Sequence, residues 1–130
     1  MNKNMTTGHI KVAYCSYKPK GEEEMEKNIA FTVQFDVKPE HLQKFKDSLN
    51  HVLESMTVED TFISCYLHKD PQDKTKITVY EIWNESSMEA FFENQLKVKA
   101  YRQEYEAKIG DWLKSDRVIS ILEPVKEWHK

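Results

Sequence analysis

Residues 61–83 read TFISCYLHKDPQDKTKITVYEIW, and this stretch decides the fold. Its two apolar segments, residues 61–68 and 76–83, each alternate from one residue to the next in the manner of a β-strand. The polar link between them, residues 69–74, contains a proline and two aspartates, as turns commonly do. We therefore predict an antiparallel hairpin.

A strand and a helix are predicted before the hairpin. Residues 29–37 (IAFTVQFDV) place large apolar side chains at every second position, which indicates a strand with one buried face. Pro39 suits the first turn of a helix, where its missing N–H costs nothing. Apolar residues at three- and four-residue spacing then predict an amphipathic helix: Leu42, Phe45, Leu49, Val52, Leu53 and Met56.

A second helix and a last strand are predicted after the hairpin. Ser86 followed three residues later by Glu89 matches a capping box, and apolar residues continue to Leu113. The apolar stripe loses its phase near residues 95–99, where we expect a bend or a break. Residues 117–123 (RVISILE) predict the final core strand.

These elements define an α+β domain of the ferredoxin-like order β-α-β-β-α-β, with both helices on one face of the sheet. We place this domain at residues 28–125, after an arm (residues 1–27) with an extra strand at residues 9–17, and before a tail at residues 126–130. The core strands carry apolar residues on both faces, so the face without helices should be an association surface. Two such sheets packed face to face would form a homodimer shaped as an α/β barrel.

The composition excludes several classes of function. The formal net charge is −3 with no basic cluster, which argues against a nucleic-acid partner. No apolar run approaches the length of a membrane span, so no membrane partner is expected. The N-terminal residues are polar and lack a signal-peptide core, so we predict a cytoplasmic protein whose two cysteines are reduced.

No motif by itself specifies a reaction. The five histidines have no metal-ligand spacing, so no metal site is predicted. The sequence contains no glycine-rich phosphate loop, nucleophile elbow or paired-carboxylate motif.

The order of several short motifs resembles the antibiotic biosynthesis monooxygenase family, which includes small quinol monooxygenases. The resemblance covers roughly residues 29–122, and its central motif is Tyr80-Glu81-Ile82-Trp83 before a helix. The other matching pieces are Phe31-Thr32-Val33, Val37-Lys38-Pro39-Glu40, Phe45, Glu59, Tyr66-Leu67-His68-Lys69-Asp70, Met88-Glu89-Ala90-Phe91 and Ala100-Tyr101.

This resemblance implies a dimeric α/β barrel that oxidises a small phenolic or quinol-type aromatic with O₂, without metal, flavin or haem as cofactor. Many relatives carry two histidines on the helix after the tryptophan, where this chain has Phe92 and Lys97. The alternative is therefore a non-catalytic dimeric module that binds small molecules or acts in a stress response. A third interpretation is a structural interaction protein that uses the N-terminal strand as its adaptor.

Three residues are candidates for catalysis, although a solvated histidine is the alternative for His68, the last residue before the turn. Trp83 would form a pocket wall and offer its indole N–H to the substrate. His68 could act as a base near neutral pH, and Lys97 could stabilise an anionic oxygen.

Aromatic side chains are the candidates for contact with the substrate. They are Phe35, Tyr66, Phe92, Tyr101 and Tyr105. Packing within the core is the alternative role for these residues and for Trp83. Glu81, which stands between apolar neighbours, is expected to form a structural ion pair.

Overall fold

The computed structural model describes residues 10–13, 28–96 and 99–130. Five strands form one sheet in the order β1-β5-β2-β4-β3. Their bounds are β1 Ile10–Ala13, β2 Ile29–Asp36, β3 Phe62–Asp70, β4 Asp73–Trp83 and β5 Arg117–Leu122. The helices are α1 Leu42–Met56, α2 Met88–Phe91 and α3 Ala100–Ile109, with a π-helical segment at Phe92–Leu96 between the last two.

Strands β5, β2, β4 and β3 are antiparallel neighbours, which is the ferredoxin-like arrangement predicted from the sequence. Strand β1 adds a fifth strand parallel to β5, with Ile10 opposite Arg117. The extra strand expected at residues 9–17 is present at Ile10–Ala13. Residues 9 and 14–17 lie outside the described part of the chain, and the division of the chain into arm, domain and tail stays a prediction.

The core lies between one face of the sheet and the helices. The alternating residues of β2 are buried as predicted, and they meet buried residues of α1 such as Phe45, whose ring centroid lies 4.9 Å from that of Phe35. On β4 the buried positions are every second residue from Thr75 to Trp83. This regular period of two follows from the opposite orientation of successive side chains along a strand.

A bulge changes the face assignment at the start of β3. Phe62 pairs with Trp83 and Ser64 pairs with Ile82, so one extra residue stands between these two pairs. Phe62 consequently lies on the helix face, where its ring meets the Trp83 ring edge-on at 5.3 Å. Simple alternation would place Phe62 on the same face as Tyr66, four residues along the strand, and the bulge reverses this assignment.

The hairpin turn is tighter than predicted because aspartate side chains stabilise both strand ends. Asp70 accepts a hydrogen bond from the Gln72 N–H at 2.8 Å. Asp73 accepts from the Thr75 N–H at 3.0 Å and from its hydroxyl at 2.6 Å. Only Pro71 and Gln72 therefore separate the strands.

Local backbone and side-chain interactions determine where the second predicted helix starts and where it breaks. Ser87, not Ser86, is the N-cap: its extended backbone directs the hydroxyl oxygen towards the Ala90 N–H, which donates at 3.0 Å. The helix then widens into the π-helical segment and restarts at Ala100, after Lys99 in an extended conformation. The break predicted near residues 95–99 is confirmed. No helix among the described residues has the length and apolarity that crossing a membrane requires.

Candidate active site

A cleft lies between the helix face of the sheet and helices α1 and α3. Its volume is about 430 Å³, including the opening to solvent. Aliphatic and aromatic side chains form most of its wall: Phe31, Val33, Phe35, Leu49, Val52, Leu53, Met56, Val79, Phe91, Tyr105 and Ile119. Four charged residues complete the lining, namely Glu81, Arg102, Glu106 and Arg117. A largely apolar pocket with a few convergent polar groups is the usual form of a small-molecule site.

Glu81 is the acid on the sheet side of this cleft. It stands on the core face of β4 between Val79 and Trp83 and is only 6% exposed. Its Oε1 accepts a hydrogen bond from the Trp83 indole Nε1–H at 2.9 Å. Burial raises the pKa of Glu81, although the positive charges of Arg102 and Arg117 and the indole hydrogen bond oppose the rise. A carboxyl group with a raised pKa can exchange a proton closer to neutral pH than an exposed one.

Arg102 is the cation on the helix side. It belongs to α3 and is 5% exposed. Its guanidinium carbon lies 5.7 Å from the ring centroid of Trp83 and 5.4 Å from that of Phe91, which is within cation–π range. Its Nε and Nη2 have no hydrogen-bond partner. Buried donors are normally paired, so these two unpartnered nitrogens in a pocket-lining residue are a functional-site signal.

Arg117 and Glu106 form an ion pair in the lining of the cleft near β5. Arg117 is 4% exposed at the first position of β5, and its Nη2 donates to Oε1 of Glu106 on α3. The guanidinium carbon of Arg117 lies 6.0 Å from the ring centroid of Tyr105. Burial raises the pKa of Tyr105, so its hydroxyl stays protonated and can donate a hydrogen bond.

Hydrogen bonds and one ion pair hold the segment around the break between α2 and α3 in place. Glu85, which is buried, accepts from the Thr61 hydroxyl at 2.7 Å and from the Asn94 amide at 3.2 Å, so it ties the π-helical segment to the start of β3. Glu59 accepts from the Tyr101 hydroxyl at 3.0 Å and pairs with Lys99 Nζ at 3.0 Å. These bonds fix the start of α3, the helix that positions Arg102.

The structure brings some of the predicted site residues to the cleft. Phe35 and Tyr105 line it directly. Trp83 is fully buried, does not line the cleft and donates its indole N–H to the Glu81 carboxylate. Phe92 is buried with its ring centroid 6.3 Å from that of Phe91, and Tyr101 is half-buried with its hydroxyl on Glu59.

Other predicted site residues lie elsewhere. Tyr66 pairs with Tyr80 and is 53% exposed on the face of the sheet opposite the helices, where the two rings stack at 6.0 Å. His68 pairs with Thr78 on the same outer face and is exposed, in an open polar groove with Asp36 and Lys76. Neither side chain reaches the cleft, because alternate strand residues point to opposite faces. Lys97 lies outside the described residues.

Sequence reasoning missed Arg102, Glu106 and Arg117, and it assigned Glu81 only a structural role. The signal for Arg117 was its phase with Ile119 on a strand whose alternate positions are buried. Arg102 precedes Tyr105 by three residues and Ile109 by seven, so it belongs to the buried stripe of α3. Within residues 28–96 and 99–130 no cluster of three or more His, Cys, Asp or Glu residues could hold a metal ion.

Fold and cleft together define a small α+β protein of ferredoxin-like topology with a buried, charge-lined pocket between sheet and helices. The model of the antibiotic biosynthesis monooxygenase family matches residues 28–108. The chain belongs to this family, as its sequence motifs indicated. No curated protein matches the sequence.

Solved structures share this fold at low sequence identity. Rv0793 from Mycobacterium tuberculosis is 18% identical, with a TM-score of 0.67 over 77% of this chain and 97% of its own. PA3566 from Pseudomonas aeruginosa is 16% identical, with a TM-score of 0.67 over 78% of this chain and 98% of its own. A structure described as an antibiotic biosynthesis monooxygenase is 15% identical, with a TM-score of 0.66 over 75% of this chain and 99% of its own.

Proposed function

We propose that this protein is a monooxygenase that oxidises a small phenolic or quinol-type aromatic with O₂ in the cleft. Family membership supports the class of reaction. The observation that carries the proposal is that a buried acid, Glu81, and a buried guanidinium, Arg102, line the same apolar pocket. Such a pair can accept a phenolic proton and stabilise the oxyanion that remains.

The roles of the two residues follow from their charges. A phenol is a weak electron donor, whereas its phenolate is a strong one, so the enzyme must favour proton loss. Glu81 takes the proton, and Arg102 offers charged N–H donors to the phenolate oxygen in a site where apolar walls strengthen the attraction. Trp83 is a positioning residue, because its indole N–H fixes the Glu81 carboxylate.

The reaction balances without an added reductant when the substrate is a quinol. A benzenediol and O₂ give a hydroxyquinone and water. One oxygen atom forms the new C–O bond, the other leaves as water, and all four electrons come from the aromatic ring. The resemblance to cofactor-independent relatives supports this route, and we propose no cofactor.

Oxygen consumption with a panel of benzenediols and naphthalenediols tests this function. We expect protein-dependent uptake of one O₂ per quinol, unchanged by catalase because water is the reduced product. Lys108→Gln removes an exposed positive charge from α3, the helix that carries Arg102, and this control variant should retain full activity. Absence of protein-dependent uptake across the panel, or return of half the oxygen on adding catalase, would contradict the proposal.

A non-catalytic binding module is the second candidate. Phe92 is buried at the position where the family resemblance implies a histidine in many relatives. Aromatic ligands that bind in the cleft without oxygen consumption would favour this module. The cytoplasmic location expected from the sequence stays a prediction.

We also propose that two copies associate through the outer face of the sheet. Apolar side chains there include Tyr80 and Ile82 on β4, the exposed Tyr66 on β3 and the exposed Leu122 on β5. Ile82→Glu should shift the dimer towards monomer in size-exclusion chromatography with light scattering, because it buries an unpaired charge at the contact. Lys44→Glu on the exposed side of α1 is the control, and an unchanged mass for Ile82→Glu would refute the outer-face dimer.

A further inference from the structure

Arg102 lines the cleft, and one edge of its buried guanidinium has no hydrogen-bond partner. Its unpartnered atoms are Nε and Nη2, whose N–H bonds lie on the same edge of the planar group and point in parallel. Together they form a two-pronged donor that matches two oxygen atoms held side by side. We call this edge of Arg102 the donor edge.

Packing holds the plane of the donor edge in place. The Trp83 and Phe91 rings lie 5.7 Å and 5.4 Å from the guanidinium carbon, so the flat group is held among aromatic neighbours. Helix α3, which carries Arg102, is in turn tied down by the bonds of Glu59 to Tyr101 and Lys99. A pre-positioned two-pronged donor loses little conformational entropy when it binds a matching ligand.

We propose that the substrate of this site is an ortho-diol, whose two adjacent oxygens bind the donor edge of Arg102 side by side. This inference rests on the proposed oxidation of a quinol-type aromatic and narrows its substrate class. The oxygens of a para-diol stand at opposite ends of the ring, so only one of them can reach the donor edge. A meta-diol likewise cannot place both oxygens on one guanidinium edge.

Charge balance favours a neutral diol over a carboxylate, which fits the same geometry. The cleft holds two acids, Glu81 and Glu106, and two guanidinium groups, Arg102 and Arg117. A diol enters uncharged and passes one proton to Glu81, so the buried cluster keeps its net charge. A carboxylate would add a negative charge to a buried site, which is costly unless another proton follows it.

Binding of diol isomers in the absence of oxygen tests the inference independently of turnover. Catechol, resorcinol and hydroquinone share one composition, so their dissociation constants report the placement of the oxygens alone. In isothermal titration we expect catechol to bind the wild-type protein at least about tenfold more tightly than hydroquinone, the effect of one additional charged hydrogen bond. Equal binding of the isomers, or tighter binding of benzoate than of catechol, would overturn the ortho-diol assignment.

A charge-conserving variant tests whether Arg102 causes the preference for catechol over hydroquinone. Arg102→Lys keeps the positive charge and removes the parallel donors, so the catechol preference should fall to about unity, whereas Lys108→Gln on the same helix should retain it. If Arg102→Lys does not fold, the Arg102 Nε–H resonance of the wild-type protein gives a second readout. It should shift on titration with catechol, and an unmoved resonance at saturation would refute the contact. A catechol preference without oxygen consumption would uphold this inference while removing the proposed oxidation.

Discussion

Replacing Glu81 by glutamine should lower kcat/KM for a quinol substrate by about 10²- to 10⁴-fold, the usual effect of losing a general base. Glutamine keeps the shape of the side chain and can still accept the indole hydrogen bond of Trp83. It cannot take a proton from the substrate. Steady-state oxygen consumption by the variant and by Glu104→Gln, an exposed change on α3, provides the comparison. Retention of wild-type activity by Glu81→Gln would exclude Glu81 as the base.

The pH dependence follows from the raised pKa of Glu81. The ionised carboxylate is the active form, so activity should rise with pH through a value above the ordinary glutamate pKa, and this limb should disappear in Glu81→Gln. Stability should change in the opposite direction. The folded state holds the Glu81 proton more tightly than the unfolded state, so this contribution is complete below the unfolded pKa and is lost as pH rises through the folded pKa. The melting temperature of wild type relative to Glu81→Gln should therefore fall over that window.

Replacing Arg102 by glutamine should reduce kcat by about 10²- to 10³-fold, comparable to removing a donor from an oxyanion site. The variant should also move the acid limb of the pH profile upwards, because the positive charge of Arg102 lowers the pKa of the buried Glu81. If Arg102 only packed against Trp83 and Phe91, its replacement would change the stability of the protein without moving the acid limb of the pH profile.

The matched control for Arg102→Gln is Lys108→Gln, which removes a positive charge from the exposed side of the same helix. Full pH profiles of both variants separate local from long-range electrostatics. An acid limb that stays at its wild-type position in Arg102→Gln would show that this guanidinium does not act on the base.

The strands and helices could be predicted from the sequence because their patterns are local. The alternation in residues 29–37 reflects one buried sheet face, and the loss of phase near residues 95–99 marks the break between α2 and α3. The bulge between Phe62 and Ser64 could not be predicted, since it depends on how β3 pairs with β4. One inserted residue is enough to move Phe62 to the helix face.

The candidate site could be predicted only in part because its charges come from separate elements. Glu81 lies on β4, Arg102 on α3 and Arg117 on β5, and the local pattern around each residue does not show that the three meet. Their meeting in one cleft depends on tertiary packing, as does the placement of Tyr66 and His68 on the opposite face. Trp83, the tryptophan of the family motif, is a direct neighbour of the site, but its indole N–H donates to Glu81 and not to a substrate position.

The most direct test of the central claim is mass spectrometry of the product formed from catechol under ¹⁸O₂. We expect a hydroxylated quinone that carries one ¹⁸O atom per molecule, formed by the wild-type protein and lost in Glu81→Gln and Arg102→Gln. Product without ¹⁸O, or labelled product formed equally by both variants, would contradict an oxygen-inserting reaction in this cleft.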